Sequence, residues 1–334
     1  MHTDRRTFLA AAAGLTASAA FPVHAFASTA RRAGPVLPWA EIASGVVAFV
    51  AGPTGGNVIA AKGPGATLVV DTKFAYLAAA IRDDALAYGG DAPIRVVNTH
   101  HHADHTGGNL AFVGRHSVHA HENAIERVRG QFERYQQGAR AAMRQAAELR
   151  ESGELDADIT TSAEAAAGQA ERLTERDYVP TQPLRDGRTN VEDIAADLHH
   201  FGHGHTDNDI VVHLPEPNVV HTGDLVFRGL HPFFDASAGV NPFGWIASLW
   251  RIYDLCDADT VVVPGHGPVG DREIVRNMIR YHEQLIESVG DDLDRGVSKE
   301  DAQATTYPWM DGLGFDRLRS IGIGVVYDTL AARR

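Results

Sequence analysis

Residues 99–109 read THHHADHTGGN. Within them His100, His102, Asp104 and His105 form the pattern H-x-H-x-D-H. The residues just before, IRVVNT (94–99), are β-branched and apolar and predict a buried strand. A strand that feeds a tight, glycine-bearing loop gathers several imidazoles and a carboxylate around one point. That donor set suits zinc, with nickel, iron or manganese as substitutes. His101 points the opposite way to its neighbours in an extended segment, so it is expected outside the ligand set.

Three shorter motifs follow in chain order. Gly204-His205-Thr206 comes after the strand-like run DLHHFG (197–202), Thr222-Gly223-Asp224 ends NVVHTGD (218–224), and Pro264-Gly265-His266-Gly267 ends TVVVPG (260–265). Each sets a potential ligand at the end of a strand beside glycine, which permits close approach of the backbone. The chain has 18 histidines but a single cysteine, Cys256, so neither an intrachain disulfide nor a Cys-rich zinc cluster is open to it. Cys256 reads as a buried thiol. His199, His200 and His203 read as structural or pocket-lining, His213 and His221 as packed within strands, and His121 as a residue near the mouth of the site rather than a ligand.

Working outward, VVAFV (46–50), NVIAA (57–61), ATLVVDT (66–72) and SVHAH (117–121) predict strands, as does DIVVHL (209–214). Helices are expected at 74–88, near 244–256, near 271–289 and near 315–333. Residues 122–178 are rich in Ala, Glu, Arg and Gln and predict two or three helices, an insertion between the halves of the domain. Runs of strands followed by helices suggest two sheets packed face to face with helices outside.

With all four motifs in this order, the sequence resembles the metallo-β-lactamase superfamily over roughly residues 45–121 and 190–290. The resemblance implies a four-layer αββα sandwich with metals at one edge between the sheets. It assigns His100, His102 and His205 to a first metal and Asp104, His105 and His266 to a second, with Asp224 bridging. Asp71, ending ATLVVDT, matches an acid that orients the site. Asp224 stands where large groups of true β-lactamases have Cys or Ser, so the ligand set is similar to the glyoxalase II type. His102 stands where flavo-di-iron oxidoreductases carry Glu. The short interval between Asp224 and His266 leaves no room for an inserted nuclease domain.

Two Zn2+ per chain are therefore expected. Two divalent cations sharing a water lower its pKa to about neutrality. The resulting hydroxide, oriented by Asp104, would attack a small-molecule carbonyl: an ester, thioester, lactone or lactam. The other readings are a class B-like β-lactamase proper, a mononuclear iron persulfide dioxygenase and a non-catalytic metal-binding protein. For the substrate side, His231, Phe233 and Phe234 are expected to form an apolar wall, Arg228 to offer a cation to a substrate carboxylate, and the 122–178 segment to cover the cleft. A net charge of −13 argues against nucleic acid as a partner.

The N-terminus, DRRTFLAAAAGLTASAAFPVHAFA (4–27), has paired arginines, Arg5 and Arg6, a weakly apolar Ala-rich stretch and a small-x-small end. It resembles a twin-arginine export signal, with cleavage expected after Ala27 and Ala25 as the next choice. Residues 28–44 are read as a linker and 45–334 as the catalytic domain, free of the membrane and periplasmic.

Overall fold

The computed structural model of the chain describes residues 35, 37–50, 55–90, 92–112, 116–134, 136 and 174–334. The apolar runs become strands in two sheets. In the first, β1 (Ala40–Ala43), β2 (Val46–Phe49), β3 (Val58–Lys62), β4 (Thr67–Val70), β5 (Ile94–Val97), β6 (Ser117–His121) and β7 (Gln182–Leu184) lie in chain order. In the second, β8 (Gly187–Val191), β9 (Ala196–His200), β10 (Val211–Leu214), β11 (Val219–His221) and β12 (Val261–Val263) do the same. Pairing is antiparallel from β1 to β4 and parallel from β4 to β7; in the second sheet only β11 and β12 are parallel.

The period-2 geometry of a strand decides the layering. Ile59, Ala61, Leu68 and Val70 face Leu198, Val212, Leu214 and Val219 of the second sheet. Val58, Ala60 and Val69 point the other way, into a cluster with Ile81 of α1 (Ala78–Gly89). On the far side, Val211, Val220 and Val262 pack beneath α2 (Pro242–Leu255), α3 (Glu273–Asp294), α4 (Lys299–Ala304) and α5 (Asp316–Ala331). The central strands are buried on both faces, which is why they read as unbroken apolar runs. The expected four-layer αββα sandwich results. Among the described residues, no helix is long and apolar enough to cross a membrane.

Three boundaries differ from the sequence reading. The domain begins before residue 45: β1 lies within the expected linker, and Leu37 is buried and donates its N–H to Asp84. β7 and β8 were not foreseen, because QPL and GRTNV carry little apolar signal. The described ends of the expected 122–178 insertion pack into the domain. Its first part, 122–134, is helical but buries Ala124, Ile125 and Val128 in the core under the first sheet, together with Tyr178 and Val179. These ends belong to the domain; residues 137–173 lie outside the described residues.

Candidate metal centre

Strand ends on one edge of the sandwich carry every candidate ligand. His100 and His102 follow β5, Asp104 and His105 sit in the helical turn Ala103–Thr106, His205 lies in the loop after β9, and Asp224 and His266 follow β11 and β12. Two donor groups form. In the first, His102 Nδ1 is 2.9 Å from His100 Nε2 and 3.2 Å from His205 Nε2. In the second, His266 Nε2 is 3.3 Å from Asp104 Oδ2 and 3.5 Å from His105 Nε2. Asp224 spans both. Its Oδ2 is 3.7 and 3.6 Å from His100 and His205, and its Oδ1 is 3.1 and 3.4 Å from His105 and His266.

These separations fit shared cations. Two ligand atoms each about 2.1 Å from one tetrahedral ion lie about 3.4 Å apart. The hydrogen bonds behind the rings point the same way. His105 Nδ1 meets Asp71 Oδ2 at 2.7 Å, and His205 Nδ1 meets the Phe233 carbonyl at 2.7 Å, which leaves each Nε2 lone pair for the site. Thr99 Oγ1 donates to Asp71, so it accepts from His100 Nδ1 and frees that ring's Nε2 as well. His102 is held through Nε2 by Asp235 at 2.9 Å and presents Nδ1. Asp224 Oδ1 is buried without a hydrogen-bond partner, an arrangement that a cation would satisfy.

Glycine makes the convergence sterically possible. A Cβ on Gly265 would lie 2.0 Å from Asp224 Oδ1, and one on Gly56 would lie 2.1 Å from the His105 ring. The Gly56 loop is secured by Lys73, which is fully buried, donates to the Gly55 and Gly56 carbonyls and lies over the Phe49 ring. Burial lowers the Lys73 pKa to about 7 against the pull of Asp104 and Asp71. Asn57 donates to the carbonyls of Pro264 and Gly267 and so fixes the loop bearing His266. Asp209 accepts from the backbone N–H and hydroxyl of Thr206 and closes the turn behind His205.

The two groups hold protons differently in the metal-free chain. Burial keeps His100 well below its ordinary value and brings His205 to about 3, so both are neutral at pH 7. Burial also opposes charge on His105 and His266, but Asp224 and Asp104 outweigh it. They raise His105 well above its ordinary value and His266 to about 9. A cation entering the second group must displace these protons, while one entering the first displaces none from His100 or His205. Affinity for a cation at the second group should therefore climb as pH rises towards the raised pKa of His266, about 9. Calorimetric titration in buffers of different ionisation enthalpy is expected to show protons released with the second equivalent near pH 7. Equal release with both equivalents would contradict the assignment.

The substrate-side residues divide. Phe233 is half-buried, its ring 5.5 Å from that of His102 and 6.3 Å from that of His205, in place as a wall. Phe234 and His231 are not walls: Phe234 is buried against Trp245, and His231 is buried with Nδ1 2.9 Å from the Tyr281 hydroxyl. Arg228 donates to the carbonyls of Pro268 and Val269, so its guanidinium is engaged by the loop that carries His266. Asp71 lies behind His105, as expected. His101 is buried, with its backbone N–H and Nδ1 at Asn208. Phe315, 5.9 Å from the His266 ring, forms a second aromatic flank that the sequence did not mark. Asp235 also escaped notice, although it closes the HPFFD run; its contact with His102 spans 133 residues.

An αββα sandwich with two His/Asp donor groups at the strand ends of one edge defines a metal-site fold. A profile of the metallo-beta-lactamase superfamily matches residues 51–266, and the chain belongs to that superfamily. Among solved structures it is similar to TMB-1, at 17% identity and a TM-score of 0.51 over 75% of this chain and 98% of that one. It is also similar to the DIM-1 metallo-beta-lactamase exposed to ceftazidime, at 16% identity and a TM-score of 0.50, covering 76% of this chain and 99% of that one. VMB-1 matches at 15% identity and a TM-score of 0.50, covering 75% and 98%. At such identities the likeness establishes the fold. No curated protein matches the chain.

Proposed function

We propose that this protein is a dinuclear zinc hydrolase of small-molecule carbonyl compounds: esters, thioesters, lactones or lactams. One observation carries the reading: Asp224 turns one carboxylate oxygen to each of two complete donor groups. Two zinc ions held by these groups would supply an activated water and Lewis acidity at the substrate carbonyl. The chain does the rest. Asp71, Asp235 and the Phe233 carbonyl hold three imidazoles in the tautomer that keeps their lone pairs in the site. Asp104, about a quarter exposed, faces the cleft from the second group, where it can orient the attacking water. Phe233 and Phe315 flank the two groups and favour a substrate with an apolar portion next to the reacting carbonyl.

The test is to purify the protein without added metal, measure zinc by elemental analysis, and assay an ester, a thioester, a lactone, a β-lactam and a phosphodiester. At least two zinc ions per chain with turnover of a carbonyl substrate, abolished by a chelator and restored by zinc, is the expected result. One iron per chain would turn the reading to persulfide oxidation, and metal without turnover to a binding role.

We further propose export by the twin-arginine route, on the strength of Arg5 and Arg6. Changing both to Lys is expected to retain the precursor in the cytoplasm on cell fractionation. Unchanged delivery to the periplasm would assign the general secretory route instead.

A further inference from the structure

Another group of metal-type donors lies outside the centre described above. His121 ends β6, Asp186 sits in the turn between β7 and β8, and His200 ends β9. Asp186 Oδ1 is 3.1 Å from His121 Nε2 and 3.4 Å from His200 Nε2, within the range of separations in the centre itself. The two imidazoles are buried and stacked, with ring centroids 4.2 Å apart, while the carboxylate is open to solvent. Water therefore has access to complete a coordination shell.

The hydrogen bonding of His200 points to a ligand. Its Nδ1 donates to the Asp209 carbonyl at 3.0 Å, the same backbone anchoring that His205 receives from Phe233. Its Nε2 lone pair is thereby left facing a carboxylate oxygen. Two lone pairs at that distance repel unless a cation or proton lies between them. His121 Nδ1 accepts from the Asn123 N–H at 3.3 Å, so an ion on Nε2 requires its proton to move or leave at the expense of that long contact.

Competition for Asp186 is weak. The adjacent Arg185 is engaged with Glu122 at 3.2 Å, and among the described residues the two imidazoles are the partners Asp186 has. A similar-looking trio, Asp197, His199 and His213, lacks this property, because Arg188 and Asn190 each take one Asp197 oxygen.

We propose that His121, Asp186 and His200 bind a third divalent transition-metal ion, separate from the catalytic pair and independent of the hydrolase reading. Its position gives it a structural role. The helix that starts at residue 122 grips the loop after β9 through Asn123 and Arg127, both bonded to Asp207. An ion bridging His121 and His200 would fasten the start of that helix to the strand leading towards His205.

The experiment is to deplete the full-length mature protein of metal and titrate it with Zn2+ or Co2+, following stoichiometry by calorimetry and by elemental analysis after desalting. Asp186→Asn is the principal variant, because an exposed turn residue can be changed without disturbing the core; His200→Gln is the second. Wild type is expected to bind one equivalent more than His200→Gln, and to hold that equivalent at least about tenfold more tightly than Asp186→Asn does. The difference between wild type and variant tests this site, and the number of equivalents left in the variant tests the dinuclear centre. Identical stoichiometry and affinity in wild type and Asp186→Asn would overturn the proposal. So would a third equivalent that binds only at millimolar zinc.

Discussion

Asp224→Ala is expected to strip both cations from the protein and lower kcat/KM by more than about a hundredfold. Removing a group that only orients a ligand already costs roughly 10–100-fold in affinity or activity, and Asp224 belongs to both donor groups themselves. It is buried, and each of its oxygens faces a different donor group. Burial opposes its ionisation, but His266, His105 and His100 hold its pKa well below the carboxylate range. Alanine would leave those imidazoles around a void without the shared negative charge. Metal analysis after desalting, alongside the kinetics, checks the expectation; no loss of equivalents relative to wild type would refute the bridging role. Asp224→Asn is the companion variant. It keeps the shape and removes the charge, so equal metal loss in both would place the effect in electrostatics rather than in a collapsed loop.

The sequence was legible where structure and chemistry share a local signal. Strands such as ATLVVDT and TVVVPG are buried on both faces and therefore read as continuous apolar runs, and each ends in or beside a site residue. The metal motifs are local for the same reason: a strand end and a glycine suffice to aim a ligand. What stayed hidden depends on distant partners. Asp235 acts on His102, and Asn57 acts on the His266 loop across 207 residues, so no spacing rule could reveal either. Edge strands β1 and β8 face solvent on one side and carry mixed residues, so their pattern is faint. The aromatic wall was overdrawn because chemical type does not report direction: Phe233 and Phe234 are neighbours, yet one flanks the donor groups and the other fills the core. Composition likewise suggested a separable helical insertion, whereas Val128 and Tyr178 are buried in the core of the domain.

Asp104→Asn is expected to lower kcat/KM at least about a hundredfold and remove one of the two equivalents held by the centre, while His101→Ala does far less. The two residues lie three apart in the same motif, so only their geometry separates them. Asp104 Oδ2 is 3.3 Å from His266 Nε2 and 3.7 Å from His105 Nε2, inside the second donor group. The first group, His100, His102, His205 and one oxygen of Asp224, does not need it and should keep its ion. His101 lies outside both groups, its Nδ1 at Asn208 and its Nε2 3.7 Å from Asp235. Its removal disturbs a neighbour of the Asp235–His102 contact but deletes no donor, so a loss below about tenfold with two ions retained is the expected outcome. The pair forms an internal control for folding, since His101 is the more deeply buried of the two. Comparable losses of activity and metal in both variants would mean that the loop 100–105 works as one rigid unit and that Asp104 has no separate duty at the second ion.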